Sequence, residues 1–122
     1  MLRVGTDLIE IVRIEEAIAR WGVRFLERIF TPDERVTYSE RISSLAARFA
    51  AKEAVSKALG TGLMTEIPWT DIEVLTDPSG EPGLHLHGRA RAEADRLGLT
   101  EWTLSLSHSG GHALAVVVAM GR

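Results

Sequence analysis

Leu45–Gly62 reads LAARFAAKEAVSKALGTG, a stretch rich in alanine and free of glycine and proline until Gly60. That composition predicts a helix over Leu45–Leu59, with Gly60 as its C-terminal stop. Phe49, Glu53 and Lys57 are spaced four apart and share one slowly drifting face. Ala47, Ala51, Ala54 and Ala58 form a second face, small enough to lie close against a sheet. A carboxylate and an ammonium one turn apart can divide two tasks, one gripping a metal ion and the other a phosphate. The plainer alternative is a solvent-facing Glu→Lys pair, which stabilises a helix by about 0.3 kcal/mol.

Working outward, Leu2, Val4 and Thr6 alternate with polar or small neighbours and predict a short strand, with Asp7 at its C-terminal end. Ile14–Trp21 reads as a helix that Gly22 interrupts, and a helical turn resumes through Phe30. Thr31-Pro32-Asp33-Glu34 combines a capping threonine, a proline suited to the first helical position and a glutamate able to reach back. The helix it opens is expected to run to about Arg41. Beyond the central helix, Trp69–Thr76 alternates as a strand, Asp77-Pro78-Ser79-Gly80 is a turn, and Leu84 and Leu86 mark a return strand. Arg89–Leu97 predicts a helix stopped at Gly98. Trp102, Leu104 and Leu106 alternate into Ser107-His108-Ser109, Gly110-Gly111 turns the chain, and Ala113–Met120 reads as a buried strand. Helices mostly first and hairpins mostly later predict an α+β fold, an antiparallel sheet packed with helices, in a single domain over residues 1–122.

Composition narrows the function. The chain has 122 residues, 45% hydrophobic and 25% charged, the balance of a globular protein with one core. A net charge of −3 gives no general attraction to nucleic acid or an anionic membrane, so neither is expected as a partner. Ala113–Met120 is far shorter than a membrane span, and the N-terminus lacks a cleavable apolar segment, so a cytoplasmic location is expected. The absence of cysteine removes disulfides, thiolate zinc sites and thiol nucleophiles. Of the 14 basic residues two are lysines, Lys52 and Lys57, against an arginine-rich background.

Other side chains suggest chemistry less directly. Asp7, following Gly5 and Thr6, is suited to ligating a cation or, equally, to capping a turn. Magnesium commonly takes one or two protein carboxylates and completes its octahedron with water and phosphate oxygens, a pair that Asp7 and Glu53 could supply. His85-x-His87 and His108-x₃-His112 could instead build a zinc or iron site, although Leu84 and Leu86 opposite the first pair suggest a solvated face. His108 lies among serines where the last hairpin turns and could bond a phosphate. Gly60-Thr61-Gly62 reads as a helix stop or as backbone that can approach an anion. Arg13, Arg20, Arg24 and Arg28 fall near one stripe if the first helical region is continuous. They then form either a mixed solvated face or a surface for an acidic helix.

Together AARFAAKEAVSKALGTG (Ala46–Gly62), GTDLIEIVRI (Gly5–Ile14) and LSLSHS (Leu104–Ser109) resemble holo-[acyl-carrier-protein] synthase, the small bacterial type of phosphopantetheinyl transferase. The likeness runs over almost the whole chain, in order and with fitting spacing. It implies transfer of the 4′-phosphopantetheine arm of coenzyme A to a serine of apo-acyl carrier protein. Adenosine 3′,5′-bisphosphate is released, and the product supports fatty acid biosynthesis. It further implies Asp7 and Glu53 as magnesium ligands, Lys57 and His108 on the coenzyme A phosphates, and Gly60 and Gly62 beside the nucleotide. Asp7, Glu53 and Lys57 are then the catalytic group, the serine proton passing to Glu53 or to a water that it polarises. Arg13, Arg24, Phe25 and Arg28 match the helix that docks the carrier. A homotrimer with active sites between subunits is implied for a chain of this length.

Two other classes of function compete. A transition-metal hydrolase built on the histidines predicts stoichiometric zinc or iron. A non-enzymatic adaptor, its arginines binding an acidic helix, predicts carrier binding without modification.

Overall fold

The structure is a computed structural model and describes residues 1–60 and 67–121. Gly62 therefore lies outside the described residues. In chain order the elements are β1 (Leu2–Glu10), α1 (Ile11–Trp21), α2 (Val23–Ile29), α3 (Pro32–Tyr38) and α4 (Ile42–Leu59). A 3-10 turn over Trp69–Asp71 follows, then β2 (Ile72–Thr76), β3 (Pro82–Leu86), α5 (Gly88–Arg96), β4 (Glu101–Ser109) and β5 (His112–Met120). The α+β class stands. The antiparallel pairing is divided between two sheets, one in the order β1-β5-β4 and the other made of β2 and β3.

Helix α4 is the axis of the fold. Its alanines 46, 47, 50, 51, 54 and 58 are buried, with Leu45, Val55 and Leu59. One side packs on Val74, Ala115, Val117 and Ala119, the other on Ile14, Phe30 and Tyr38. A helix covered on most sides needs small side chains, because packing leaves no room for longer ones. Gly5 makes the closest approach possible. A Cβ there would sit 1.9 Å from the Ala54 carbonyl oxygen, so β1 touches the helix backbone where it has no side chain.

The helix boundaries follow from local chemistry. Gly22, at φ 57°, ends α1 and separates it from α2. The threonine–proline–glutamate start of α3 forms as expected, with Thr31 Oγ1 accepting from the Glu34 amide at 3.2 Å and Glu34 Oε1 from the Thr31 amide at 2.9 Å. Gly60 closes α4 in the left-handed region at φ 73°.

Several boundaries differ from the sequence expectation. Asp7 lies inside β1 rather than at its end, because β5 supplies a partner for every residue from Leu2 to Glu10. Helix α3 stops at Tyr38, short of Arg41, and α4 begins at Ile42. Trp69–Asp71 is a helical turn and not strand. It is held there because Asp71 Oδ2 accepts from the Arg89 amide at 2.8 Å, capping α5 from a distance in sequence.

The two lysines have opposite fates. Lys52 is fully buried, with its Nζ 2.8 Å from Glu34 Oε1 and also donating to the Trp69 and Ile72 carbonyls. Arg48 lies under Tyr38 and donates to Thr76 Oγ1 at 2.6 Å. These two cations tie α4 to β2 and to the turn before it.

Candidate active site

Phe49, Glu53, Ser56 and Lys57 form the open stripe of α4's second half, where the neighbouring positions are buried. The four-residue spacing seen in the sequence is thus the one side of the helix that the fold leaves uncovered. Asp7 points to the same side. It shares a sheet face with Gly5, two residues earlier, and Gly5 is the point at which α4 lies against β1.

Asp7, Glu53 and Lys57 come together there. Lys57 Nζ donates to Asp7 Oδ1 at 3.1 Å and to the Thr6 carbonyl at 2.9 Å. Asp7 Oδ2 is buried and has no hydrogen-bond partner, the one such buried side-chain atom among the described residues. An orphaned carboxylate oxygen costs free energy, of the order of 1–3 kcal/mol, unless a ligand satisfies it. Burial, and then the negative charge of Asp7, push the Glu53 carboxyl above its ordinary value, while Lys57 pulls it back. Two carboxylates that feel each other's charge, one with a free oxygen, fit a hard divalent cation that draws its other ligands from water and phosphate. Among the described residues no group of three histidine or carboxylate side chains comes together as a metal cluster. His87 Nε2 instead meets Glu73 Oε1 at 3.0 Å, and Glu73 in turn accepts from Thr31 Oγ1.

His108 stands apart. In register it pairs with Ala113, whereas Asp7 pairs with Ala115, so it lies across the middle strand and two residues along. Strand spacing puts it roughly 10 Å or more from Asp7 within one subunit. Gly60 ends the helix one turn beyond Lys57.

Beside the stripe, α2 and α4 enclose an open cleft of about 670 Å³ lined by Trp21, Arg24, Phe25, Arg28, Ile29, Phe49 and Trp69. Phe49 and Trp69 stack in its lining, with centroids 4.9 Å apart. Three of the four predicted docking residues therefore share one cavity. Arg13 does not line it and pairs with Glu10 at 3.4 Å on the exposed start of α1.

The model of the 4′-phosphopantetheinyl transferase superfamily matches residues 3–117. The chain belongs to that superfamily. Among curated members, the holo-[acyl-carrier-protein] synthase of Herpetosiphon aurantiacus is 50% identical, over 99% of this chain and 100% of its own. That of Dehalococcoides mccartyi is 53% identical over 98% of each. The crystal structure of the Helicobacter pylori holo-[acyl-carrier-protein] synthase in complex with coenzyme A matches with a TM-score of 0.86 and 37% identity. It covers 96% of this chain and 99% of that one.

Sequence reasoning missed part of what builds and surrounds this candidate site. The role of Lys52 was not readable, because its partners Glu34 and Ile72 lie 18 and 20 residues away. Trp21 and Trp69 give a stretch of sequence no periodic signal, and a three-dimensional cleft is needed to place them together. Phe49 was visible through its spacing but had no stated task.

Proposed function

We propose that this chain catalyses magnesium-dependent transfer of 4′-phosphopantetheine from coenzyme A to a serine of apo-acyl carrier protein, releasing adenosine 3′,5′-bisphosphate. The observation that carries the reading is the α4 stripe, which runs from the lining of an arginine-flanked apolar cleft, at Phe49, to the Asp7–Glu53–Lys57 cluster. A surface for a partner and a surface for chemistry thus lie along one helix.

Asp7 and Glu53 would hold the magnesium ion. Bound there, it would neutralise the diphosphate and polarise the phosphorus under attack. The chain's own groups do the rest. Lys57 supplies a point charge to the coenzyme A phosphates, for which an ammonium on a flexible stem is suited. Glu53, or a water that it polarises, takes the proton from the carrier serine as its oxygen attacks. The serine oxygen bonds to the phosphorus carrying the pantetheine arm, and the bond from that phosphorus to the bridging oxygen breaks. Gly60 lets a backbone amide approach the nucleotide.

Arg24 and Arg28 flank the cleft as partners for an acidic carrier helix, and Phe25 and Phe49 offer it apolar contact. Arg13 would extend the same surface along α1. The outer face of the β1-β5-β4 sheet supports self-association, since Leu2, Val4, Leu8, Leu114 and Met120 are exposed on it. A homotrimer with its active sites at subunit boundaries would bury that face and bring His108 of a neighbouring copy to the coenzyme A phosphates. The assignment carries with it a cytoplasmic location and a role in fatty acid biosynthesis. No described helix is long and apolar enough to cross a membrane.

The test is a mass spectrum of apo-acyl carrier protein incubated with coenzyme A and the enzyme, with and without magnesium. One phosphopantetheine is expected to be added in its presence, and none with Asp7→Ala or Glu53→Ala. Unmodified carrier in every arm would refute the transfer. Unchanged turnover in either variant would refute the metal assignment.

A further inference from the structure

Lys57 occupies Asp7 Oδ1 in a contact that joins unequal partners. The Asp7 side chain is 14% exposed and held in the middle of a strand, whereas that of Lys57 is 53% exposed on a four-carbon stem. The carboxylate cannot leave its place, and the ammonium can. We infer that Lys57 is a competing counter-ion on Asp7. It opposes loading of a divalent cation until a diphosphate draws the ammonium away, so that cation and diphosphate enter the site together. The inference rests on reading Asp7 and Glu53 as the cation's ligands.

The physical argument has three parts. A cation and an ammonium on one carboxylate repel each other, and the partly buried setting of Asp7 screens that repulsion less than open water would. An ammonium is a compact point charge that binds phosphate as readily as carboxylate. Leaving Asp7 for a diphosphate therefore costs Lys57 little and vacates Oδ1 beside the already unpartnered Oδ2. The same diphosphate offers oxygens to a cation that two carboxylates leave short of ligands. By reciprocity, each of the two then tightens the binding of the other.

Direct titration of the full chain with Mn²⁺, followed by electron paramagnetic resonance without coenzyme A, tests this. Lys57→Gln is expected to bind Mn²⁺ about tenfold more tightly than the wild type. Arg3→Gln removes a nearby cation that bonds the Ala58 carbonyl and not Asp7, and is expected to leave the affinity unchanged. Equal or weaker binding by Lys57→Gln, or equal tightening by Arg3→Gln, would overturn the competition. Mn²⁺ binding to none of the three would remove the carboxylate pair as a metal site and the inference with it. Because the chain has two lysines, side-chain labelling yields two signals. Mg²⁺ is expected to move that of Lys57 and leave that of buried Lys52 in place. A Lys57 signal that stays while the Asp7 amide titrates would mean that the two cations share the carboxylate, contrary to the exchange.

Discussion

Lys52 Nζ lies 2.8 Å from Glu34 Oε1 at a point where neither side chain has any exposed surface. Glu34 also caps α3 and accepts from the Val74 amide at 2.9 Å, so one carboxylate joins three elements. Lys52→Met is expected to destabilise the fold by about 3–5 kcal/mol, because it leaves Glu34 buried without its counter-charge. Urea unfolding measures this. A loss below about 1 kcal/mol would show that Glu34 is satisfied by its backbone contacts alone.

Gly5→Ala tests the contact that brings β1 against α4. The added methyl would meet the Ala54 carbonyl at 1.9 Å, and neither backbone can yield without moving its element. A loss of about 3 kcal/mol or more is expected. Residual folded protein is expected to bind Mn²⁺ poorly, since Asp7 would part from Glu53. Near-normal stability would mean that β1 slides at little cost.

Glu53 ties function to stability through pH. Its carboxyl is raised above the ordinary 4.5 by burial and by Asp7. From 4.5 up to the folded-state value, the folded chain holds a proton that the unfolded chain has released. The stabilisation is present below 4.5 and is lost as pH rises through that window. Glu53→Gln stays neutral and is expected to show a higher Tm than the wild type at neutral pH, with a flatter pH dependence and no transfer. A lower Tm at neutral pH would mean that the charged form is the stabilised one.

Leu8→Lys places a charge on the exposed apolar sheet face without touching the carboxylate cluster. Leu8 is 62% exposed and points away from α4. Sedimentation is expected to show the variant as a monomer with little transferase activity and a fold intact by circular dichroism. Unchanged assembly would move the subunit contact to another surface.

How much of this was legible in the sequence depended on distance along the chain. The Thr31–Glu34 cap spans four consecutive residues and is legible in the sequence. The Phe49–Glu53–Lys57 stripe repeats every turn of one helix and was equally plain. The middle of β1 was misread because Asp7 looks like a strand terminus, although Leu8 to Glu10 continue the pairing with β5. The division into two sheets, the burial of Lys52 and the cleft between Trp21 and Trp69 all join segments far apart. Local pattern carries no record of such partners.

Phe49 and Lys57 are eight residue steps apart on unbroken helix, a rigid span of about 12 Å. On the proposed reading, that rod sets a fixed reach between where a guest protein is gripped and where its hydroxyl must arrive. Inserting a single residue between them would swing one end about 100° from the other, abolishing alignment while sparing both surfaces. Length here acts as a gauge, so altered partner preference should come from recontouring the walls at Trp21 and Trp69, never from lengthening the rod.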